Sequence, residues 1–423
     1  MIRITPTGFS MSGLTALLFL LISAPLFSKP TGIHLSWNQR GGEAASGSMG
    51  VTWMDDFWAP AMVRFGTDSA DLDRKVRVMP RYSDALELYV LKATLRNLRP
   101  GTSYFYKVGS DEGGWSPVYR FRTAPEPGSD APFTVGVWSD TQNNKGNIRF
   151  EQSDTIVSRI AKYPLDFTLH TGDIVENGSV AESWKNFFSV AEPLNARFPF
   201  MSVTGNHDVV NDTTSRFQRP FPVFYDLFNL PGDQLNYSYR YGNTHFIAIN
   251  SGYAQGASKV GKVLFSPDSP EYRWLEKDLA AARKDPKVRW IIMYFHYPVY
   301  SFGFSHVPEW QGRLKPIIDR FTVDLVISGH RHVYERHAAV RGSRIFPLPE
   351  KGLYDKPEGT VYVTNGSCGG SLQGLGGDKL PTMVFTPAVK IYTYGIMRID
   401  GYRLQFEVFD KKGQAIDQFE IRK

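Results

Sequence analysis

Five segments of this chain end an apolar run with residue types that bind metal ions in proteins. The segments are "FTVGVWSD", "DFTLHTGD", "PFMSVTGNHD", "WIIMYFH" and "VDLVISGHRH", which carry Asp140, Asp173, Asn206, His207, Asp208, His296, His330 and His332. Taken singly, each residue could be a hydrogen-bonded core histidine or a helix-capping aspartate. Their repeated position after apolar runs instead favours one shared site. Carboxylate, imidazole and amide ligands suit Fe, Mn or Zn, and the single cysteine excludes an all-thiolate site.

The apolar runs alternate with amphipathic stretches, and this alternation predicts the elements that hold the site. Helical patterns cover residues 147–162, 181–197, 271–284 and 311–321. Buried strands that alternate with helices indicate an α/β core. In such cores ligands bind at the carboxyl ends of the strands, which is where the candidate residues lie.

The segment before this core has a different pattern. Residues 33–123 show short alternating strands separated by Gly, Pro and Asp turns, which is typical of an all-β module. The stretch "LRPGTSYFY", with Tyr104 and Tyr106, resembles the tyrosine corner of fibronectin type III sandwiches. We therefore expect a leader over 1–28, a fibronectin type III-like domain over 29–125, a linker over 126–132 and the α/β domain over 133–423.

The first 28 residues contain the apolar run "GLTALLFLLISAPLF" after Arg3. This run is short for a bilayer span and is typical of a secretory signal, while a retained anchor is the alternative. Cleavage would leave a mature protein without a stable membrane span. Because the exported chain has one cysteine and no possible internal disulfide, we expect a bacterial periplasmic, envelope or secreted protein. The net charge of +6 weakly favours anionic ligands, and no nucleic-acid-binding track is predicted.

The motifs "SD", "GDIVENG", "GNHD", "MYFH" and "GHRH", in this order, resemble the five signature blocks of the calcineurin-like metallophosphoesterases. The domain arrangement is similar to that of purple acid phosphatases. This resemblance implies an αββα sandwich, in which helices flank two β-sheets, and a centre of two divalent or trivalent ions. It assigns Asp173 as the bridging ligand, Asp140 and His332 to the first ion, and Asn206, His296 and His330 to the second.

The resemblance also implies an activity. Two ions would clamp the phosphate of a small phosphorylated substrate and activate a water that attacks it, as in acid phosphatases. His207 would protonate the leaving alkoxide and Asp208 would orient His207. His306 is a candidate substrate contact, whereas His170, His245 and His337 are expected to be structural. Two alternatives stay open: a phosphodiesterase for nucleotides or lipid headgroups, and a weakly catalytic binding or adhesion protein that uses the β-module.

Two positions depart from the family pattern. Purple acid phosphatases owe their colour to an iron-bound tyrosine three residues after the bridging aspartate, where this chain has Glu176. Many relatives place a metal-binding histidine two residues after the first aspartate, where this chain has Gln142. With Gln142 or Glu176 as oxygen ligands, we expect a harder first site that favours Fe, Mn or Ca over Zn, and a colourless or faintly coloured protein. The Gly-rich stretch 362–377 is expected to be a flexible loop beside the site.

Overall fold

The computed structural model describes residues 29–38, 45–143, 149–209, 221–251, 265–302, 307–347, 350–374 and 380–423. The leader predicted over 1–28 and the substrate contact predicted at His306 lie outside these described residues. In the part of the chain that the structure describes, no helix is both long enough and apolar enough to cross a membrane.

The N-terminal part is an all-β domain of two sheets, as predicted. Its strands are β1 (Thr31–Ser36), β2 (Met49–Asp55), β3 (Ala61–Gly66), β4 (Arg74–Val78), β5 (Arg81–Ser83), β6 (Leu88–Leu95), β7 (Ser103–Ser110), β8 (Gly114–Trp115) and β9 (Tyr119–Arg122). One sheet has the order β1-β2-β6-β5, and the other has β4-β3-β7 with β8 and β9 on the free edge of β7. The hydroxyl of Tyr104 accepts a hydrogen bond from the Arg99 backbone N–H at 2.9 Å, which is the predicted tyrosine corner.

The second part is an α/β domain, which confirms the predicted fold class. Its helices are α1 (Glu151–Ile160), α2 (Ala181–Asn195), α3 (Pro222–Leu227), α4 (Pro270–Lys284) and α5 (Val307–Phe321), with a 3₁₀ turn at Glu350–Gly352. Its strands are β10 (Phe133–Trp138), β11 (Phe167–His170), β12 (Phe200–Ser202), β13 (Tyr237–Tyr241), β14 (Thr244–Ala248), β15 (Trp290–Phe295), β16 (Leu325–Ser328), β17 (Tyr334–His337), β18 (Val340–Arg341), β19 (Arg344–Ile345), β20 (Leu353–Asp355), β21 (Val361–Asn365), β22 (Met383–Phe385), β23 (Thr393–Asp400), β24 (Arg403–Asp410) and β25 (Ala415–Arg422).

Two mixed sheets organise this domain. Among the described residues, one sheet has the order β12-β11-β10-β23-β24-β25-β20 and the other β13-β14-β15-β16-β21-β17-β22. Strands β10, β11 and β12 are parallel to one another, and so are β14, β15, β16 and β21. Because parallel strands end at one edge of a sheet, the residues that follow them can meet.

Helix α4 illustrates how local sequence sets the element bounds. The Ser269 hydroxyl accepts from the backbone N–H of Tyr272, and Pro270 occupies the first turn, where its missing N–H costs nothing. Glu271 lies in the first turn and Arg283 in the last, so both charges complement the helix dipole. Leu275 and Leu279 are buried, one turn apart on the face toward the sheet.

The β-domain packs firmly against the α/β domain through its first sheet. The Lys92 ammonium on β6 donates to the carbonyl oxygens of Tyr225 and Phe228 at 2.7 and 2.6 Å. On β1, His34 Nε2 lies 2.9 Å from the Leu227 carbonyl oxygen. Burial lowers the pKa of His34 to about 4, so the ring is neutral at this interface. One outer face of the β-domain is thus occupied by the second domain.

Candidate metal centre

The ends of five strands bring the predicted ligands together. Asp140 follows β10, Asp173 follows β11, Asn206 follows β12, His296 directly follows β15, and His330 and His332 follow β16. The ligand atoms of Asp173, His296 and His330 lie within 4.8 Å of one another, and so do those of Asp140, Asp173 and His332. The shared residue is Asp173, which was predicted to bridge two ions. We call the group with Asp140 and His332 the first half and the group with His296 and His330 the second half.

In the second half, four atoms with lone pairs converge. The Asn206 Oδ1 atom lies 3.1 Å from His296 Nε2 and 2.9 Å from His330 Nδ1. Nδ1 of His296 donates to the Thr171 carbonyl oxygen at 2.9 Å, so Nε2 is the nitrogen that faces the centre. Asp173 Oδ2 lies 3.1 Å from that nitrogen. An arrangement of facing acceptors is stabilised by a cation between them, and this donor set fits a metal ion.

The electrostatics of the second half also favour positive charge. Burial opposes the charged imidazole of His296, yet the adjacent Asp173 carboxylate raises the pKa of His296 to about 9. Burial would raise the pKa of Asp173, but the charge and hydrogen bond of His296 hold it well below its usual range. The buried centre therefore keeps Asp173 ionised and attracts a counter-charge.

The first half has fewer imidazoles and more oxygen atoms. Nε2 of His332 lies 3.5 Å from Asp140 Oδ1, while its Nδ1 donates to the Ser371 carbonyl oxygen at 2.7 Å. The amide nitrogen of Gln142 lies 3.2 Å from Asp173 Oδ2 and 3.4 Å from His332 Nε2. Gln142 Oε1 is buried without a hydrogen-bond partner among the described residues. A half-turn of the terminal amide exchanges these atoms and points Oε1 at the ligands, so Gln142 fits an oxygen donor to a cation.

Close backbone approach makes this assembly possible. Residue 205 is a glycine, and a Cβ there would lie 2.0 Å from Asp173 Oδ1, so any larger residue would displace the shared carboxylate. Three of the ligands, Asp140, Asp173 and His330, have left-handed backbones with φ of 52°, 53° and 66°. Residues other than glycine rarely adopt this backbone conformation, and it turns the backbone sharply after each of the three strands.

The expectation that Asp208 orients His207 is wrong. The Asp208 carboxylate accepts hydrogen bonds from the backbone N–H groups of Ile174, Val175 and Gly205, at 2.8, 3.1 and 2.7 Å. It therefore ties the turn that carries Asp173 to the turn that carries Asn206. Burial and the charge of Asp173 raise the pKa of Asp208 to about 7. Asp208 directly follows His207 in the sequence. That position is compatible both with orienting His207 and with binding backbone N–H groups, so the sequence alone does not distinguish the two roles.

His207 is instead oriented by Glu176. Its Nδ1 donates to the Glu176 carbonyl oxygen at 2.8 Å, and the Glu176 carboxylate lies 3.6 Å from the same nitrogen. The His207 side chain is 36% exposed, so it stands at the mouth of the centre. Burial opposes its charge, but Asp173 and Glu176 raise the pKa of His207 above its ordinary value. Burial similarly raises the pKa of Glu176.

The described part of the Gly-rich stretch lies beside the site, as expected, and packs on the first half. The backbone N–H groups of Gly369 and Gly370 donate to the Asp140 carbonyl oxygen at 2.9 and 3.0 Å. A Cβ at Gly370 would lie 2.3 Å from the His332 ring, so glycine is required for this packing. The described part of the stretch therefore holds two ligands in place. The glycine-rich composition marked this loop, but nothing in the sequence showed which residues it contacts.

The histidines that were predicted to be structural lie outside the two ligand groups of the centre. His170 and His337 are fully buried, and His245 pairs with Asp278 at 2.7 Å. Burial and the nearby His296 lower the pKa of His170 to about 3, which keeps its ring neutral. The Cys368 thiol is buried, and burial raises its pKa, so it is not an activated nucleophile.

Comparisons with known proteins agree with this fold. Residues 133–334 match the calcineurin-like phosphoesterase family, and residues 30–123 match the purple acid phosphatase N-terminal domain. Acid phosphatase type 7 of Mus musculus is 29% identical, over 92% of this chain and 90% of that protein.

Solved structures show a similar fold. The purple acid phosphatase PPD1 of yellow lupin superposes with a TM-score of 0.76 at 20% identity, over 93% of this chain and 74% of that one. PhoD superposes with a TM-score of 0.65 at 15% identity, over 93% and 94% of the two chains.

Proposed function

We propose that this chain is an exported phosphomonoesterase. It joins a purple acid phosphatase N-terminal domain to a calcineurin-like phosphoesterase domain, and it is thus a metal-dependent phosphoric ester hydrolase. The observation that carries the proposal is the sharing of Asp173 by two ligand groups. A carboxylate shared by the two groups would offset the repulsion between two bound cations, which would then act together on one phosphate.

The six ligand side chains would hold two ions, which supply a Lewis-acidic clamp for the phosphate oxygens and an activated water when bound. The second half, with two imidazoles and the Asn206 amide, fits Zn, Mn or Fe. The first half, with its carboxylates, one imidazole and the Gln142 amide, fits the harder Fe or Mn, or Ca.

His207 would supply the proton for the leaving group. Because Nδ1 is committed to the Glu176 carbonyl, Nε2 is the nitrogen that can face a substrate. Its raised pKa keeps the ring cationic at mildly acidic pH, so Nε2–H can donate to the departing alkoxide. The same positive charge would attract the phosphate before reaction.

The test uses the full chain loaded in turn with Fe, Mn, Zn and Ca. We expect turnover of para-nitrophenyl phosphate to exceed that of bis-para-nitrophenyl phosphate. Asn206→Ala and His207→Ala should each lower kcat by roughly 100-fold or more. Gln405→Ala, which removes an amide on β24 outside the centre, should leave turnover unchanged.

Different failures of this test lead to different conclusions. Faster turnover of the bis-ester would replace the monoesterase with the phosphodiesterase alternative. Absence of turnover with every metal, in protein that binds two ions, would overturn the enzymatic proposal and favour a binding protein. Export is tested separately, by N-terminal sequencing of the protein recovered outside the cytoplasm of the producing cells. A soluble cytoplasmic protein that retains Met1 would contradict export.

A further inference from the structure

The second sheet of the β-domain collects basic residues on its outward face. Strand register places Arg64 beside Lys75 on one side and Lys107 on the other. The same register pairs Met62 with Arg77, Phe105 with Arg120, and Ser103 with Arg122. Directly paired residues share a face of a sheet, so six cations lie on one side. We call Arg64, Lys75, Arg77, Lys107, Arg120 and Arg122 the basic face.

The residues that alternate with these cations along the strands indicate which side of the sheet is exposed to solvent. Val63, Tyr106 and Phe121, which alternate with the cations along their strands, are buried on the opposite side of the sheet, where the Tyr106 hydroxyl donates to the Ala196 carbonyl oxygen of the α/β domain at 2.8 Å. The other sheet of the domain contacts the α/β domain through Lys92 and His34. The basic face is therefore an outer surface, on which Lys75, Arg77, Arg120 and Arg122 are exposed and Arg64 and Lys107 are partly exposed.

The charge of this face is not neutralised within the described structure. None of its six cations forms an ion pair with a described residue. Arg120 donates to the Ser103 hydroxyl and Arg122 to the Gly101 carbonyl oxygen, which are neutral acceptors. Three carboxylates lie near this face: Asp111 binds the Trp115 indole N–H, Asp73 lies beside Gly66, and the buried Asp166 acts on Arg122. The six cations therefore outnumber the three nearby acids.

Further arginines extend the positive region toward the α/β domain. Arg120 and Arg122 line a groove of about 470 Å³ together with Arg197 and Arg398. Asp166 in the same groove is committed to the Tyr241 hydroxyl and the Thr134 backbone N–H. The groove therefore adds positive charge at one edge of the basic face.

We propose that the basic face docks this protein on an anionic lipid bilayer. The six cations are spread over four adjacent strands, which makes the array about 14 Å wide at a strand spacing of about 4.8 Å. A planar surface meets such a two-dimensional array at once, whereas a single strand of nucleic acid follows one line across it. Each Lys or Arg near an anionic membrane adds roughly fivefold to the affinity.

The aromatic residues of the face disfavour nucleic acid as the occupant. Stacking of bases needs an open ring, but Arg64 and Lys107 lie 5.2 and 4.5 Å from the centre of the Trp115 ring. Val118, 47% exposed between β8 and β9, adds an apolar side chain at the margin that could enter the headgroup region. These features fit a lipid surface better than a row of bases.

The experiment is co-sedimentation of the full chain with vesicles of phosphatidylcholine containing 30% phosphatidylglycerol, compared with pure phosphatidylcholine. We expect binding only to the anionic vesicles and its loss at 0.5 M salt, where charges are screened within a few ångströms. The variant K75Q/R77Q/R120Q should bind roughly 100-fold more weakly. The matched control R320Q/R344Q/R403Q, which removes three exposed cations elsewhere, should bind as the unaltered protein does.

Several results would overturn this proposal. One is absence of binding to anionic vesicles at low salt; another is equal weakening by the variant and the control. Tighter binding to single-stranded DNA than to the vesicles would assign the face to nucleic acid instead. Turnover of para-nitrophenyl phosphate by both triple variants should match that of the unaltered protein, which shows that the fold and the centre are intact.

Discussion

The two halves of the candidate metal centre share Asp173 but differ in the atoms that complete them. The second half adds two imidazoles and an amide oxygen, whose ligand atoms lie 2.9–3.2 Å apart. The first half adds one imidazole and one carboxylate, together with the amide of Gln142, whose Oε1 has no hydrogen-bond partner in the described structure. Asp173 thus belongs to both halves, of which the second is richer in nitrogen ligands and the first is richer in oxygen ligands. The difference supports the proposal that the two halves would prefer different ions.

Asp173→Asn should have the largest effect, because it weakens both halves together. The neutral amide cannot offset the charge of two ions, so we expect kcat to fall by roughly 1,000-fold or more. Metal content, measured by mass spectrometry of the purified protein, should fall below one ion per chain. Asp226→Asn, at the domain junction, is the matched control and should keep both ions. Retention of two ions by Asp173→Asn would remove Asp173 as the bridge.

His296→Gln and His332→Gln should separate the halves. Each variant loses one imidazole, so we expect each to lose one ion and to lower kcat by about 100-fold. The ion lost from His296→Gln should be the nitrogen-preferring one, such as Zn, and the ion lost from His332→Gln should be the harder one. Metal content by element is the measurement. If both variants lose the same element, the halves do not differ in preference.

Gln142→His tests the oxygen-rich character of the first half directly. An imidazole is a stronger donor to Zn than an amide oxygen, so the variant should bind Zn at the first half roughly tenfold more tightly. Competition between Zn and Mn, followed by calorimetry, measures this change. Gln142→Leu, which has no donor atom, provides the comparison. Equal metal preference in all three proteins would show that Gln142 does not contact an ion.

Glu176→Tyr should have the smallest effect on turnover and a large effect on the spectrum. The family resemblance places the iron-binding tyrosine at this position, so the iron-loaded variant should gain a broad visible band while the unaltered protein stays colourless. The Glu176 carbonyl, which orients His207, survives the substitution, and kcat should change less than about tenfold. Tyr402→Glu, at an exposed position, controls for general changes. A purple unaltered protein would contradict the assignment of Glu176.

The sequence predicted the parts of this molecule that follow from local patterns. Apolar runs and their polar ends located the strands and eight candidate residues, because parallel strands bring their carboxyl ends to one edge. The family resemblance then implied which six of them are ligands. It could not predict that Asp208 binds backbone N–H groups, since that contact depends on the path of a neighbouring turn. The basic face was missed for a related reason. Its cations lie on separate strands, and only the register brings Arg64 beside Lys75 and Lys107.

The left-handed backbones of Asp140, Asp173 and His330 have a consequence for substitutions at these turns. Each such residue costs the fold roughly 1–2 kcal/mol, which glycine at the same position would recover. Glycine at these positions would relieve the strain, but it would also remove the carboxylates of Asp140 and Asp173, which accept hydrogen bonds from the backbone N–H groups of His330 and His207. The strained turns and the hydrogen bonds that they make possible are therefore linked, and a replacement at one turn would also loosen the next.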